Sequence, residues 1–151
     1  MKILFPFLLA LLAAAVLPAQ EGHHVHAAPH GGTLVEVGRH QFNLELVRDA
    51  EAGTLTVYVL GAHAEDFVRL PAKALELTVE VKGRTERLAL GAVANELSGE
   101  TVGDTSQFTA QADWLKRDGE FKGRFAALEI RGVVFRDVAF TFPVNADHDG
   151  D

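Results

Sequence analysis

The chain has 151 residues, of which 14 are basic and 21 acidic, giving a formal net charge of -7. An acidic balance argues against binding to nucleic acid or to anionic membrane surfaces. The absence of cysteine excludes disulfides and thiol catalysis. Stability must therefore come from burial of apolar surface, which a chain of this length can provide.

The first 19 residues have the pattern of a secretory signal peptide. Lys2 supplies a positive start, an apolar run over residues 3–16 is interrupted only by Pro6, and Ala19 provides a small residue at the cleavage point. A membrane anchor is the alternative, but the run is shorter than the ~20 residues that a span needs. We therefore predict a periplasmic or secreted protein with no stable membrane span after processing.

The rest of the chain divides into three parts by composition. Residues 20–32 form a His-rich lead-in that we expect to be flexible, and residues 33–143 form a single β-domain. Residues 144–151 are expected to be an acidic, disordered tail.

Apolar and polar residues alternate along most of the β-domain, which is typical of half-buried strands. Strands are predicted at residues 34–37, 42–46, 54–60, 75–81, 85–90, near 108, 121–130 and 133–142. No amphipathic helix is evident. The pattern predicts an all-β fold, namely an antiparallel, Ig-like β-sandwich of about eight strands, with a small open barrel as the alternative.

Some side chains allow more specific expectations. A turn at residues 113–115 is expected to place Trp114 or Leu115 in the core, and Arg136 interrupts the alternation of the last strand, which predicts a bulge. Carboxylates such as Glu36 and Glu45 fall on the polar faces of strands, where we expect them to be solvated.

The densest chemistry lies in the lead-in, which contains four of the seven histidines: His23, His24, His26 and His30. Neutral imidazole is a common ligand for zinc, copper(II) and nickel. His24 and His26 are two residues apart, so extended backbone places both on one side, and the glycines after His30 allow the chain to fold back. His63 could complete a site with His30 if its loop meets the N-terminus of the domain.

Two alternatives remain open for these histidines. The segment can be a solvated linker whose histidines are incidental, and His63 can be an ordinary surface residue. Copper(I) is disfavoured, because a chain without its signal peptide would contain neither methionine nor cysteine. The only serines, Ser98 and Ser106, lie in no nucleophile motif, so we predict no enzymatic activity.

Three stretches carry a resemblance to known proteins: PHGGTL at residues 29–34, FNLELV at 42–47 and GTLTVYVL at 53–60. They are similar to small exported bacterial proteins that start with "PHGG", and to N-terminal segments of periplasmic adaptor subunits of heavy-metal efflux systems. The resemblance covers roughly residues 29–60, and the chain lacks the coiled hairpin and lipoyl-like halves of a full adaptor. It implies a free-standing domain with a metal-linked periplasmic role and His30 as a candidate ligand.

The sequence thus favours an exported β-domain that binds a divalent transition metal through His23, His24, His26, His30 and His63 and acts as a buffer or delivery module. Its expected partners are the metal ion and a periplasmic efflux or other envelope protein. The alternative function is a non-catalytic protein-interaction module that meets its partner through an edge strand or a loop.

Overall fold

The computed structural model describes residues 27–117 and 119–143. The predicted signal peptide, His23, His24, His26 and the predicted tail lie outside these residues. The described part contains eight strands and one short 3-10 helix: β1 (Thr33–Val37), β2 (Phe42–Asp49), β3 (Thr54–Gly61), β4 (Ala74–Val81), β5 (Arg84–Ala92), β6 (Gln107–Gln111), the helix (Asp113–Lys116), β7 (Phe121–Ile130) and β8 (Val133–Phe142).

All eight strands belong to one antiparallel sheet, in the order β1-β2-β3-β6-β5-β4-β7-β8. The edge strands β1 and β8 approach each other, so the sheet is nearly closed into a barrel. The predicted all-β class and the eight antiparallel strands are confirmed. Because the strands share one sheet, the architecture is closer to the small open barrel than to two stacked sheets.

The short strand β6 is the reason for the single sheet. On one side it pairs with β3, where Thr54 lies opposite Gln111, and on the other side it pairs with β5, where Gly91 lies opposite Thr109. It therefore joins the β1-β2-β3 half of the sheet to the half that contains β4, β5, β7 and β8. The sequence gives little indication that a five-residue strand after a long connection has a partner strand on each side.

The interior of the barrel is filled by the apolar residues that alternate along the strands. Leu75, Leu77 and Val79 of β4 are buried, whereas the intervening Glu76 and Glu80 are exposed. The helix contributes Leu115, which is fully buried, so the turn predicted at residues 113–115 does place a side chain in the core. Phe108 and Phe125 are the largest of the fully buried side chains.

The hairpin of β7 and β8 differs in one detail from the sequence expectation. The buried residues of β7 have odd numbers up to Phe125 and even numbers from Leu128 onward, so the alternation of buried and exposed side chains shifts by one residue between them. The register with β8 does not shift, because Phe125 lies opposite Val138 and Leu128 lies opposite Phe135. The predicted bulge at Arg136 is therefore wrong, since a bulge needs an extra residue on one strand. The break comes from left-handed backbone at Asp137, which has φ 52°.

The 3-10 helix spans four residues. Within residues 27–117 and 119–143, no helix has the length and apolar composition that crossing a membrane would require.

Gly123 of β7 provides a test of the packing inside the barrel. It lies opposite Phe140, whose ring covers the glycine so closely that an added Cβ would overlap it. We expect Gly123→Ala to lower the free energy of unfolding by about 1–3 kcal/mol, because the Phe140 ring is itself buried against Phe121 and Phe125 and would have to shift. Urea unfolding followed by the fluorescence of Trp114, the only tryptophan, would measure this.

The matched control is Gly91→Ala. Gly91 also lies in a strand, but the nearest atom to an added Cβ would be the carbonyl oxygen of Thr109 at 3.9 Å, an ordinary contact. This variant should be as stable as the natural protein or slightly more stable. Equal stabilities of the two variants would contradict the close packing of Phe140 on Gly123.

Candidate functional site

The candidate site lies on the outer surface of the barrel, where the chain enters β1. Residues 27–32 precede β1 and contain a turn in which the backbone N–H of Gly31 donates to the carbonyl oxygen of Ala28 at 3.1 Å. Gly31 has φ +69°, a left-handed conformation that glycine adopts readily. The turn brings His30 onto the outer face of β2 and β3.

Glu45 of β2 is the residue that holds this segment. It lies between Leu44 and Leu46, which both face the core, so its own side chain points to the outer face of the sheet. Nevertheless its side chain is 0% exposed, because the segment before β1 covers it. The expectation that Glu45 is solvated is therefore wrong.

The buried carboxylate of Glu45 accepts three hydrogen bonds from the segment. Its Oε1 accepts the backbone N–H groups of His30 at 2.7 Å and Gly32 at 3.0 Å. Its Oε2 lies 2.8 Å from Nδ1 of the His30 ring. Burial of a carboxylate is costly unless it is hydrogen-bonded in this way, so the three contacts and the burial belong together.

Gly32 is needed for this close approach. A Cβ at position 32 would lie 2.5 Å from the carbonyl oxygen of Leu46 and 2.9 Å from Cγ of Glu45. Any larger residue would push the segment away from β2 and lengthen the hydrogen bonds to Glu45. The two glycines after His30 thus have different roles, the first in the turn and the second in the packing.

The ring of His30 is held from the side as well as through Nδ1. It stacks on Tyr58 of β3, with ring centroids 3.8 Å apart and planes inclined by 9°. The edge of Phe67 contacts it at a centroid distance of 5.7 Å. The imidazole is 35% exposed, so it is oriented by the protein but still accessible.

This arrangement determines which ring nitrogen is available. When Nδ1 carries the hydrogen and donates it to Glu45, Nε2 of the neutral ring keeps its lone pair. A carboxylate that receives the second ring N–H is the usual partner of a metal-binding histidine, since it fixes the tautomer and increases the basicity of the ligand. His30 therefore has the support of a metal ligand, although the described residues contain no group of three or more ligands around it.

The burial of Glu45 also affects Tyr58, which lies directly opposite it in the sheet. Partial burial raises the pKa of the Tyr58 hydroxyl, and the negative charge of Glu45 raises it further. Both effects disfavour a second negative charge at this place. Tyr58 therefore serves as a neutral platform for the imidazole ring.

A shallow depression of about 430 Å³ extends from His30 and Tyr58 towards Arg69, Glu100 and Ser106. Glu100 accepts hydrogen bonds from the backbone and hydroxyl of Ser106, at 2.8 and 2.6 Å, and from Ser98 at 2.7 Å. Burial alone raises the pKa of Glu100, but these hydrogen bonds and the charge of Arg69 together lower it. Glu100 is thus an anchor of the β5–β6 connection rather than an available acid.

The described residues include two of the predicted ligands, His30 and His63. His63 is exposed and lies in the connection after β3, and it is not among the residues that line the depression around His30. The same connection does reach the N-terminal segment, but through Phe67. In the described ranges, no three or more histidine, aspartate or glutamate side chains are grouped so that they could hold a metal ion. His23, His24 and His26 lie outside those ranges.

Sequence reasoning missed Glu45, Tyr58 and Phe67. Each stands on a strand or in a loop that is unremarkable by composition, and only their contacts with His30 give them a role. One local signal was present, namely the pair of glycines after His30, which indicates a chain that folds back tightly.

No protein-family model matches the sequence, and no curated protein or solved structure matches it either. The interpretation of the site therefore depends on its own geometry.

Tyr58 provides a direct test of this geometry, because it is the only tyrosine and its phenolate absorbance reports on this site alone. We expect its pKa to lie above the usual value of about 10, and Glu45→Gln to lower that pKa without restoring the usual value, since burial is the larger cause. The folded state binds the phenol proton more tightly than the unfolded chain, so the free energy of unfolding should fall as the pH rises above about 10.

Glu36→Gln is the control for this titration. Glu36 belongs to the neighbouring strand β1 and contacts His40 instead, with 2.9 Å between Oε2 and Nδ1. Its replacement should leave the Tyr58 titration unchanged. A Glu45→Gln variant that titrates like the natural protein would show that the Glu45 charge does not act on Tyr58.

Proposed function

We propose that this protein is an exported, periplasmic β-domain that binds a divalent transition metal and acts as a buffer or delivery module without catalytic activity. The observation that supports this most strongly is the ring of His30, which is oriented by a buried carboxylate and remains partly exposed. The remaining ligands in this proposal are His23, His24 and His26, which precede it in the chain, and His63 in the connection after β3.

The distances along the chain are compatible with such a site. His26 is four residues before His30, and an extended chain covers about 3.3–3.6 Å per residue, so the imidazoles of residues 23–26 can reach the neighbourhood of His30. His30 would be an oriented ligand in this site. The lead-in, for which the sequence predicts flexibility, would supply the other ligands at a cost in conformational entropy, which favours release of the metal.

The donor set indicates the class of metal. Imidazole suits zinc, copper(II) and nickel, and the proposed ligands include no thiolate or thioether that would select copper(I). Binding should weaken below about pH 6, because imidazoles must be neutral to act as ligands. An exchangeable site of this kind fits transfer of the metal to another envelope protein.

Metal titration of the purified protein by calorimetry tests the proposal. We expect sub-micromolar binding of at least one of zinc, copper(II) and nickel, and loss of that binding when His23, His24, His26 and His30 are all replaced by alanine. His30→Ala alone, and Glu45→Gln through the loss of its support, should each weaken binding by about 10–100-fold. His40→Ala is the matched control, because His40 is 80% exposed and pairs with Glu36 away from the site.

The comparison with a free peptide of residues 20–32 decides between a site and a His-rich tract. If the whole protein binds no tighter than this peptide, or if His30→Ala and His40→Ala bind equally well, the oriented ring of His30 does not contribute and the proposal is wrong. Urea unfolding of the Glu45→Gln protein shows whether the variant is still folded. If it is folded, weaker metal binding reflects the lost hydrogen bond to the His30 ring and not unfolding.

Export is a separate part of the proposal. When the full chain is expressed in a Gram-negative host, we expect it in the periplasmic fraction, with a mass that corresponds to a chain starting at Gln20. Replacing Leu8, Leu9 and Leu11 with charged residues should prevent this processing, because it interrupts the apolar run. If the protein with its natural sequence stayed in the cytoplasm at full length, the proposed export would be wrong.

A second candidate function is a protein-interaction module with incidental histidines. It is favoured by exposed apolar side chains in the connection between β5 and β6, where Leu97 is 100% exposed and Val102 is 58% exposed. Removal of residues 21–30 separates the two functions. If the protein binds metal through its N-terminal histidines, the truncated chain should lose metal binding. If it is an interaction module, the truncated chain should still bind its protein partner.

A further inference from the structure

The depression beside His30 is larger than a metal ion by itself requires. Its volume is about 430 Å³, and its lining includes His30, Tyr58 and Phe67 together with residues of the β5–β6 connection. A water molecule occupies about 30 Å³, so an ion with about four waters would fill on the order of 150 Å³. The observed volume lies instead within the range of about 300–1,000 Å³ for small-molecule sites. The depression therefore has room for a small organic molecule together with a metal ion.

The ring of His30 offers one nitrogen to a metal ion in this depression. Its Nδ1 lies 2.8 Å from Oε2 of Glu45, which is fully buried and does not line the depression. When Nδ1 donates to Glu45, the lone pair of Nε2 is free. The imidazole is 35% exposed, so a metal ion in the depression can bind His30 through Nε2.

The β5–β6 connection forms a wall of the depression that is held in place by the protein. Asn95 and Glu100 exchange backbone hydrogen bonds of 3.0 and 2.9 Å, which close the turn between them. Arg69 donates to the carbonyl oxygen of Ser98 inside this turn, and its Nη1 lies 3.2 Å from Oδ2 of Asp104. A wall that is already ordered loses little conformational entropy when a ligand binds.

Several donors on the lining have no acceptor within the described part of the chain. Tyr58 of β3 and Gln107 of β6 lie directly opposite each other in the sheet, and Asn95 is close to them in the same lining. No described residue accepts a hydrogen bond from the Tyr58 hydroxyl or from the side-chain amides of Gln107 and Asn95. These groups can therefore donate to oxygen atoms of a small molecule.

The charges around the depression favour a ligand with a net positive charge. Arg69 and Glu100 both line it, and with 3.8 Å between Nε and Oε1 their charges compensate each other. Glu45 adds a carboxylate directly behind the ring of His30, and Asp104 adds another beside Arg69. The surroundings as a whole are negative, so they attract a cation more than an anion.

We propose that this depression binds a divalent transition metal as its complex with a small amino acid, with Nε2 of His30 as the ligand from the protein. The amino acid chelates the metal through its amine and one carboxylate oxygen, and the other oxygen accepts hydrogen bonds from Gln107 and Tyr58. A chelator with a single carboxylate leaves the complex positively charged, whereas one with several carboxylates does not. This assignment rests on the proposed metal binding by His30 and names the form in which the metal arrives.

The test uses a protein in which His23, His24 and His26 are replaced by alanine, so that the lead-in histidines do not compete for the metal. Calorimetric titration compares the 1:1 nickel–histidine complex with nickel alone and with nickel–citrate, whose net charge is negative. The nickel–histidine complex should bind at least tenfold more tightly than either of the others. Equal affinities for the three probes would overturn the assignment, and so would undiminished binding after the further change His30→Ala.

Gln107→Ala tests whether the chelator itself is recognised. This change should weaken binding of the nickel–histidine complex about tenfold, because it removes a donor to a charged oxygen, and it should leave binding of nickel alone unchanged. Gln111→Ala is the matched control. Gln111 belongs to the same strand, but its side chain donates to the carbonyl oxygen of Ala52 at 3.0 Å and does not line the depression. Equal losses in the two variants would contradict recognition of the chelator.

The two metal proposals fail in different experiments. The proposed function is tested with metal alone and with the lead-in histidines present. If the natural protein binds metal alone but the protein without those histidines does not bind the nickel–histidine complex, only the assignment of the depression is wrong. If His30→Ala changes neither titration, His30 is no ligand and both proposals are wrong.

Discussion

The buried carboxylate of Glu45 is the constraint on which the candidate site depends. A carboxylate with no exposed surface is stable only if its oxygens are hydrogen-bonded, and here the donors come from the chain just before β1. The requirement works in both directions. Glu45 fixes the position of His30 and Gly32, and these residues in turn keep water away from Glu45.

This constraint gives the ring of His30 a preformed support on the outer face of the barrel. The barrel provides Tyr58 and Phe67 on its outer face, and these aromatic side chains limit the ring of His30 to one orientation. A preorganised group loses little conformational entropy on binding. In the proposed metal site, His30 would therefore be the preorganised ligand.

The barrel has different chemistry on its outer surface and at the end of β2. The outer site offers imidazole and a buried carboxylate, and at the end of β2 the guanidinium of Arg48 donates to the carbonyl oxygen of Gly119 and lies over the Phe142 ring. At Glu45 the sequence alternates as expected but the outward side chain is buried, whereas at Arg48, at the end of the same strand, an inward position is charged. A carboxylate buried on the outer face and an arginine on the inner face both need partners from elsewhere in the chain.

The sequence by itself determined the strands and the faces they present to the core. This was possible because the two-residue alternation is a local property, so that β4 and the hairpin of β7 and β8 could be located from neighbouring residues alone. Only the tertiary structure decided that β6 joins both halves into one sheet, that Glu45 is buried and that Trp114 lacks an acceptor among the described residues. These properties depend on contacts between residues far apart in the chain, and the pattern of one strand contains no information about what covers it.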